Sequence, residues 1–283
     1  GFKNNSSYDR FWEGRKIWGG VVNSSRTWAA QVLAYVDPGV EDERALETRR
    51  RMVYRHVAYI NALRMQLRRK SRFFDRPARA TKKRLAAHAE VMRNDWDAEL
   101  APFLSPEELA QVSTYANPAT HMLKTQALEA AQLLRDGRLD LFHQMELMHI
   151  VEEFYTLQGK CERIKNTPFP RQYAELSRMF TRIFVFLVPL GMIDVFSTSI
   201  EHASGWESSA MMIAAMVLSS ALVTWVFVTM EGIGDASEDP FERSMNDVPM
   251  NALCLTIEID LSQMLGETEV PDKEPVVDGW LMY

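Results

Sequence analysis

The chain has 283 residues, of which 47% are hydrophobic and 25% charged. Its 32 Lys and Arg stand against 38 Asp and Glu, a balance that excludes a surface made basic throughout for nucleic acid. Its two cysteines, Cys161 and Cys254, are too few for a disulfide framework, and without histidines at ligand spacing they make no zinc site, so both are expected as thiols.

The chain opens on Gly1 with neither an initiator Met nor a signal-like segment, and is expected to be a piece of a longer product. From Tyr8, apolar residues at Phe11, Trp12, Trp18, Val21, Val22, Trp28, Val32 and Leu33 form a helical stripe that stops at Asp37, Pro38 and Gly39. A second long helix is predicted over 41–71, on Met52, Val53, Val57, Ile60, Leu63 and Leu67, with arginines flanking the stripe. Between Arg64 and Arg84 ten Lys or Arg accompany one acid, Asp75. Such a segment suits a solvated loop or anionic lipid heads; aromatic interleaving limited to Phe73 and Phe74 speaks against nucleic acid.

Ser105 followed by Pro106, Glu107 and Glu108 is a helix start, with a capping hydroxyl, a proline in the first turn and acids near the positive end of the dipole. Asn117 and Pro118 start another helix, closed by Asp136 and Gly137. A long helix over 139–164 carries the one metal-like spacing, Glu146 and His149 as E-x-x-H, with His143, Glu152 and Glu153 nearby. A di-iron bundle needs a second such motif and two further carboxylates, and no second E-x-x-H occurs, so no cofactor and no catalytic residue is expected.

The segment 183–193 is apolar, and 210–230 is uncharged; as a helix the latter is about 31 Å long, close to the ~30 Å of bilayer hydrocarbon. The two read as a membrane hairpin. A buried pair in a large soluble core is the competing reading, and the mean hydropathy of −0.21 favours it, but that average covers a chain lying mostly outside any membrane. Lys160, Arg163, Lys165, Arg171, Arg178 and Arg182 precede the hairpin, whereas 197–209 holds Glu201, His202 and Glu207 and no Lys or Arg. Both hairpin ends are therefore expected on the cytoplasmic side. Pro189 interrupts the first apolar helix, with Gly191 beyond it, and Arg182 and Asp194 at its ends; freed backbone groups at membrane depth suit a helix that lines a cavity. An acidic, turn-rich link over 236–249 precedes a last amphipathic helix over 250–265, and with no strand-like alternation anywhere the predicted fold is all-α.

Three blocks in order, GFKNNSSYDRFWEGRKIWGG, RIKNTPFPRQY ahead of RIFVFLVPLGMID, and GDASEDPFERSMNDVPMNALCLTIEIDL, resemble the bacterial branch of the bestrophin family of ion channels. The resemblance implies a homopentamer with a central pore, an apolar neck in the membrane and a cytoplasmic aperture. Phe2 matches the last ring-forming neck position and Val188, just before Pro189, matches the aperture, on a helix that bends below the membrane. The first membrane helix and most of the second would lie outside this sequence. Of the acids forming a calcium clasp in the eukaryotic branch, Asp247 matches one, while Ser244 stands at another and Arg243 replaces a neighbouring acid; a lost carboxylate weakens a hard-cation site, so calcium gating is not expected.

The implied division is 1–36 for the end of the second membrane helix and its continuation, 37–170 for a cytoplasmic helical region, 171–235 for the hairpin and aperture, 236–266 for the link and final helix, and 267–283 for a tail. The implied function is passive passage of chloride or other small anions through a multi-pass protein of the cell inner membrane, most of this chain being cytoplasmic. The implied partners are identical subunits, inorganic ions and membrane lipids. A monovalent cation channel is the alternative within the family; a membrane-anchored helical scaffold and a soluble metalloenzyme are alternatives of other classes.

Overall fold

The computed structural model describes residues 2–69, 93–167, 171–203, 205–241 and 247–273. Among these residues the fold is all-helical, as the periodicities predict: α1 (Phe2–Tyr35), α2 (Glu43–Leu67), α3 (Trp96–Leu100), α4 (Pro106–Ser113), α5 (Pro118–Arg135), α6 (Leu141–Asn166), α7 (Arg171–Glu201), α8 (Trp206–Ala236) and α9 (Met250–Met264). The ends follow local chemistry. Asp42, Asp95, Ser105, Asn117 and Asp140 each cap the helix that follows through a side-chain oxygen, satisfying amides the helix leaves unbonded. α1 stops where Asp37 and Gly39 take positive φ, of 48° and 75°. The short α3 carries no readable apolar period, and Asp95 accepting from the amides of Asp97 and Ala98 is what defines it.

The chain divides into two compact units, Gly1–Phe11 with Pro168–Asp239, and Trp12–Thr167 with Pro240–Tyr283. In the second unit α2 is the central element, packed by α5, α6, α9 and α3. Its apolar stripe is fully enclosed, together with Trp18 and Trp28 of α1, Phe154 of α6, and Ile257 and Leu261 of α9. Gly14 of α1 admits the link ahead of α9: a Cβ there would sit 3.1 Å from the Phe241 ring and 3.4 Å from Val248. Phe241 thus seats the start of the link in the core, only 1% exposed.

Arg44, Arg50 and Arg51 of α2 are exposed, but Arg49, Arg55 and Arg64 are buried rather than solvated. Arg49 donates to the carbonyls of Val36, Asp37 and Val40 at 2.9, 2.6 and 3.0 Å, satisfying acceptors past the end of α1. Arg55 is held between Glu108 and Glu129, which joins α2 to α4 and α5. Arg64, the first residue of the expected basic segment, has no exposed surface; it bonds Glu99 at 2.6 Å, Asn61 at 3.1 Å and the Arg93 carbonyl at 2.8 Å, and also donates to Asn251. Arg68 is likewise buried and reaches Asn251 at 2.7 Å. Neither is available to lipid or nucleic acid, because each cation is used up by core acceptors. The remainder of that segment over 70–84 lies outside the described residues.

Both cysteines are free and buried, and burial pushes each thiol up to about 12. Both are thiols, as expected, and their burial makes them unreactive.

Candidate functional site

The first unit is built on α7 and α8, which pack against each other as an antiparallel pair. Phe184 meets Phe227 at 4.4 Å between ring centres, and Ser177 donates to Glu231 at 3.3 Å. Continuing that register places Val188 level with Ser220, and those two side chains are each only 9% exposed. Elsewhere the hairpin is apolar outward on nearly every face: Phe186 is 72% exposed and Leu218 70%, with Leu187, Leu190, Ile193, Leu222 and Trp225 also exposed. At roughly 25 cal/mol per Å² such a surface is untenable in water. It excludes the buried soluble pair, whose helices would be enclosed by the rest of the core. The segments Glu175–Glu201 and Trp206–Gly234 are long and apolar enough to span, and this is a membrane protein with two candidate spans.

α7 is longer than the apolar run 183–193 indicates. Tyr173, Leu176, Met179 and Phe180 continue its exposed apolar surface, with Arg178 and Arg182 between them, and the helix runs through Pro189 as one element. Arg178 and Arg182 lie within the first half of α7, and the Nε of Arg178 is buried, so these charges do not end the apolar helix. Val188 is shielded within this chain, whereas Pro189 is exposed. Phe2 begins α1, and its side chain lies outside the described residues.

A seam that the sequence does not announce joins the start of α1 to the end of α8. Asn4 donates through Nδ2 to the Met230 carbonyl at 3.0 Å, and Arg10 donates to the Glu238 carbonyl at 2.9 Å with Asp239 at 3.7 Å. Residue numbers rise together along both partners, so the two segments run parallel. Asn4 sits in an unpatterned polar stretch, and no spacing rule marks it as a contact residue.

Asp247 lies just ahead of α9 with both carboxylate oxygens shielded from solvent. Arg243 and Ser244 are outside the described residues. On α6, Glu146 and His149 are exposed, while His143 stacks on Tyr35 at 4.0 Å and pairs with Asp140. Among the described residues no three His, Cys, Asp or Glu side chains gather closely enough to hold a metal ion.

A family model described as Bacterial/Fungal Bestrophin protein matches residues 1–263. The voltage-dependent anion channel-forming protein mll4386 of Mesorhizobium japonicum is 29% identical over 266 residues, 94% of this chain and 71% of that protein. The voltage-dependent anion channel-forming protein YneE of Salmonella typhi is 27% identical over 275 residues, 96% of this chain and 74% of that protein. Among solved structures, a bacterial bestrophin homologue from Klebsiella pneumoniae superposes with a TM-score of 0.73 at 25% identity, covering 95% of this chain and 83% of that one.

Proposed function

The chain belongs to the bacterial and fungal bestrophin family, and from that premise we propose that it is a subunit of a channel through which chloride or other small anions cross a membrane passively. The observation that carries the proposal is a hairpin exposing apolar side chains on nearly every face, in a chain whose relatives over 94–96% of its length are named anion channel-forming proteins. Those names describe channels and not enzymes. Five copies around a central axis would form the pore, with the hairpin in the inner membrane and most of this chain in the cytoplasm. Phe2 would supply the last apolar ring of the neck. The turn of α7 holding Val188 and Pro189 would supply the aperture, and Asp247 with the acidic link would fix the packing around α9 without a strong calcium site.

The test is ion flux from liposomes holding the gene product under opposed chloride and sodium gradients. A reversal potential tracking chloride supports the proposal, one tracking sodium moves the channel to the cation branch, and no flux leaves a membrane scaffold. Val188 presents little surface within one chain, so Val188→Ala separates two roles. A lining residue gives higher conductance when shortened, because a wider apolar ring wets more readily. A packing residue gives unchanged conductance and a less stable hairpin.

A further inference from the structure

Resting on the channel reading above, we infer that the contact between Asn4 and Gly234 is a latch that positions the start of α1, and with it the neck residue Phe2, against α8. Gly234 is buried and helical without a positive φ, so its backbone does not require glycine. Space does. A Cβ at 234 would fall on the Asn4 side-chain oxygen and lie 3.2 Å from Asn4 Cγ, the next atom being Asn4 Cα at 3.9 Å. The carboxamide is not free to swing aside at no cost, because its Nδ2 is bound to the Met230 carbonyl, one turn before Gly234 on α8. Any bulk at 234 therefore either breaks that bond or pushes α1 away. Arg10 fixes the next stretch of α1 to the Glu238 carbonyl and Asp239, so the displacement is taken up at the first turn. Phe2 is two residues before Asn4 on the same helix and moves with it. Asn4 and Gly234 are positioning residues: neither needs to touch an ion to set the width of the neck.

The experiment records single channels of the gene product in planar bilayers for Gly234→Ala, Asn4→Ala and the double variant, with Gly232→Ala as a control because nothing lies within 4 Å of a Cβ at that position. Gly234→Ala is expected to change conductance or open probability on the order of tenfold, the scale of one methyl overpacking a tight contact. In the Asn4→Ala background, where only Cα remains near the added methyl, the same substitution is expected to add nothing, and Gly232→Ala is expected to match the parent. Conducting Gly234→Ala channels identical to the parent would overturn the inference, as would an effect of equal size in both backgrounds. If Gly234→Ala does not assemble, Asn4→Ala alone decides: it deletes the latch without adding bulk, so altered permeation supports the inference and unaltered permeation overturns it. A parent that passes no ion removes the channel reading and the inference with it. That failure is told apart from failure of the latch alone, in which the parent conducts.

Discussion

His56 is fully enclosed beside Ser25, Gln126 and the rings of Trp28, Tyr59 and Phe154, with no acid among these neighbours. Burial disfavours the imidazolium and, only partly opposed by the hydrogen bond with Gln126, lowers its pKa from 6.5 to about 3. The unfolded chain then binds the proton more readily than the folded one, so stability is full above about 6.5 and is lost as pH falls toward about 3. The total is on the order of 5 kcal/mol. His56→Phe keeps a ring among rings and removes the titration. Its melting curve in detergent is expected to start lower at neutral pH, since Ser25 and Gln126 lose a partner, and to show a shallower acid dependence than the parent. Alkylation offers a second check: Cys161 and Cys254 should resist an iodoacetamide-type reagent in the folded protein and react once it is denatured. At this scale the sequence is least transparent. The helical stripe of α2 is legible from Met52 to Leu67, but whether Arg64 faces water or Glu99 depends on α3 and α9, which approach from 35 and 187 residues away.

The helices themselves are readable wherever a cap or a break stands beside a strong period, as at Ser105, Asn117 and Gly137. They are less so where the period fades, as at α3, or where charge interrupts an apolar surface, as at Arg178 and Arg182. The hairpin gives the sharpest prediction for an element. Leu222 lies mid-way along α8 and is 61% exposed. On a soluble protein, Leu222→Arg would be a harmless surface change; in a lipid-facing span it costs roughly 2.5–3.5 kcal/mol of insertion. The variant is expected to fall sharply in the membrane fraction, and full recovery there would show that this face does not meet lipid. Asn4 and Gly234 fall in the first and third blocks that carry the family resemblance, but nothing in the sequence pairs one with the other. A glycine with ordinary helical φ is indistinguishable from any other until its neighbour is placed.

For the molecule as a whole, the basic residues before α7 and their absence from 197–209 predict that the connection faces away from the cytoplasm. Because both native thiols are buried, a single introduced cysteine reports its own side of the membrane. Thr198→Cys is expected to react with an impermeant maleimide on intact spheroplasts, and Lys160→Cys only after lysis; the reverse pattern would invert the topology. The bond from Arg64 to Asn251 spans 187 residues of chain, and the hairpin lies between them. On a ribosome adding about 10 residues per second, Arg64 waits roughly 20 seconds for its partner to be made. Throughout that interval the face of α2 destined for α9 is uncovered, and it can close only after α7 and α8 have emerged. The hairpin therefore leaves the ribosome before the larger unit can be completed, so a nascent chain stalled between α8 and α9 still displays an unfinished core to chaperones and proteases.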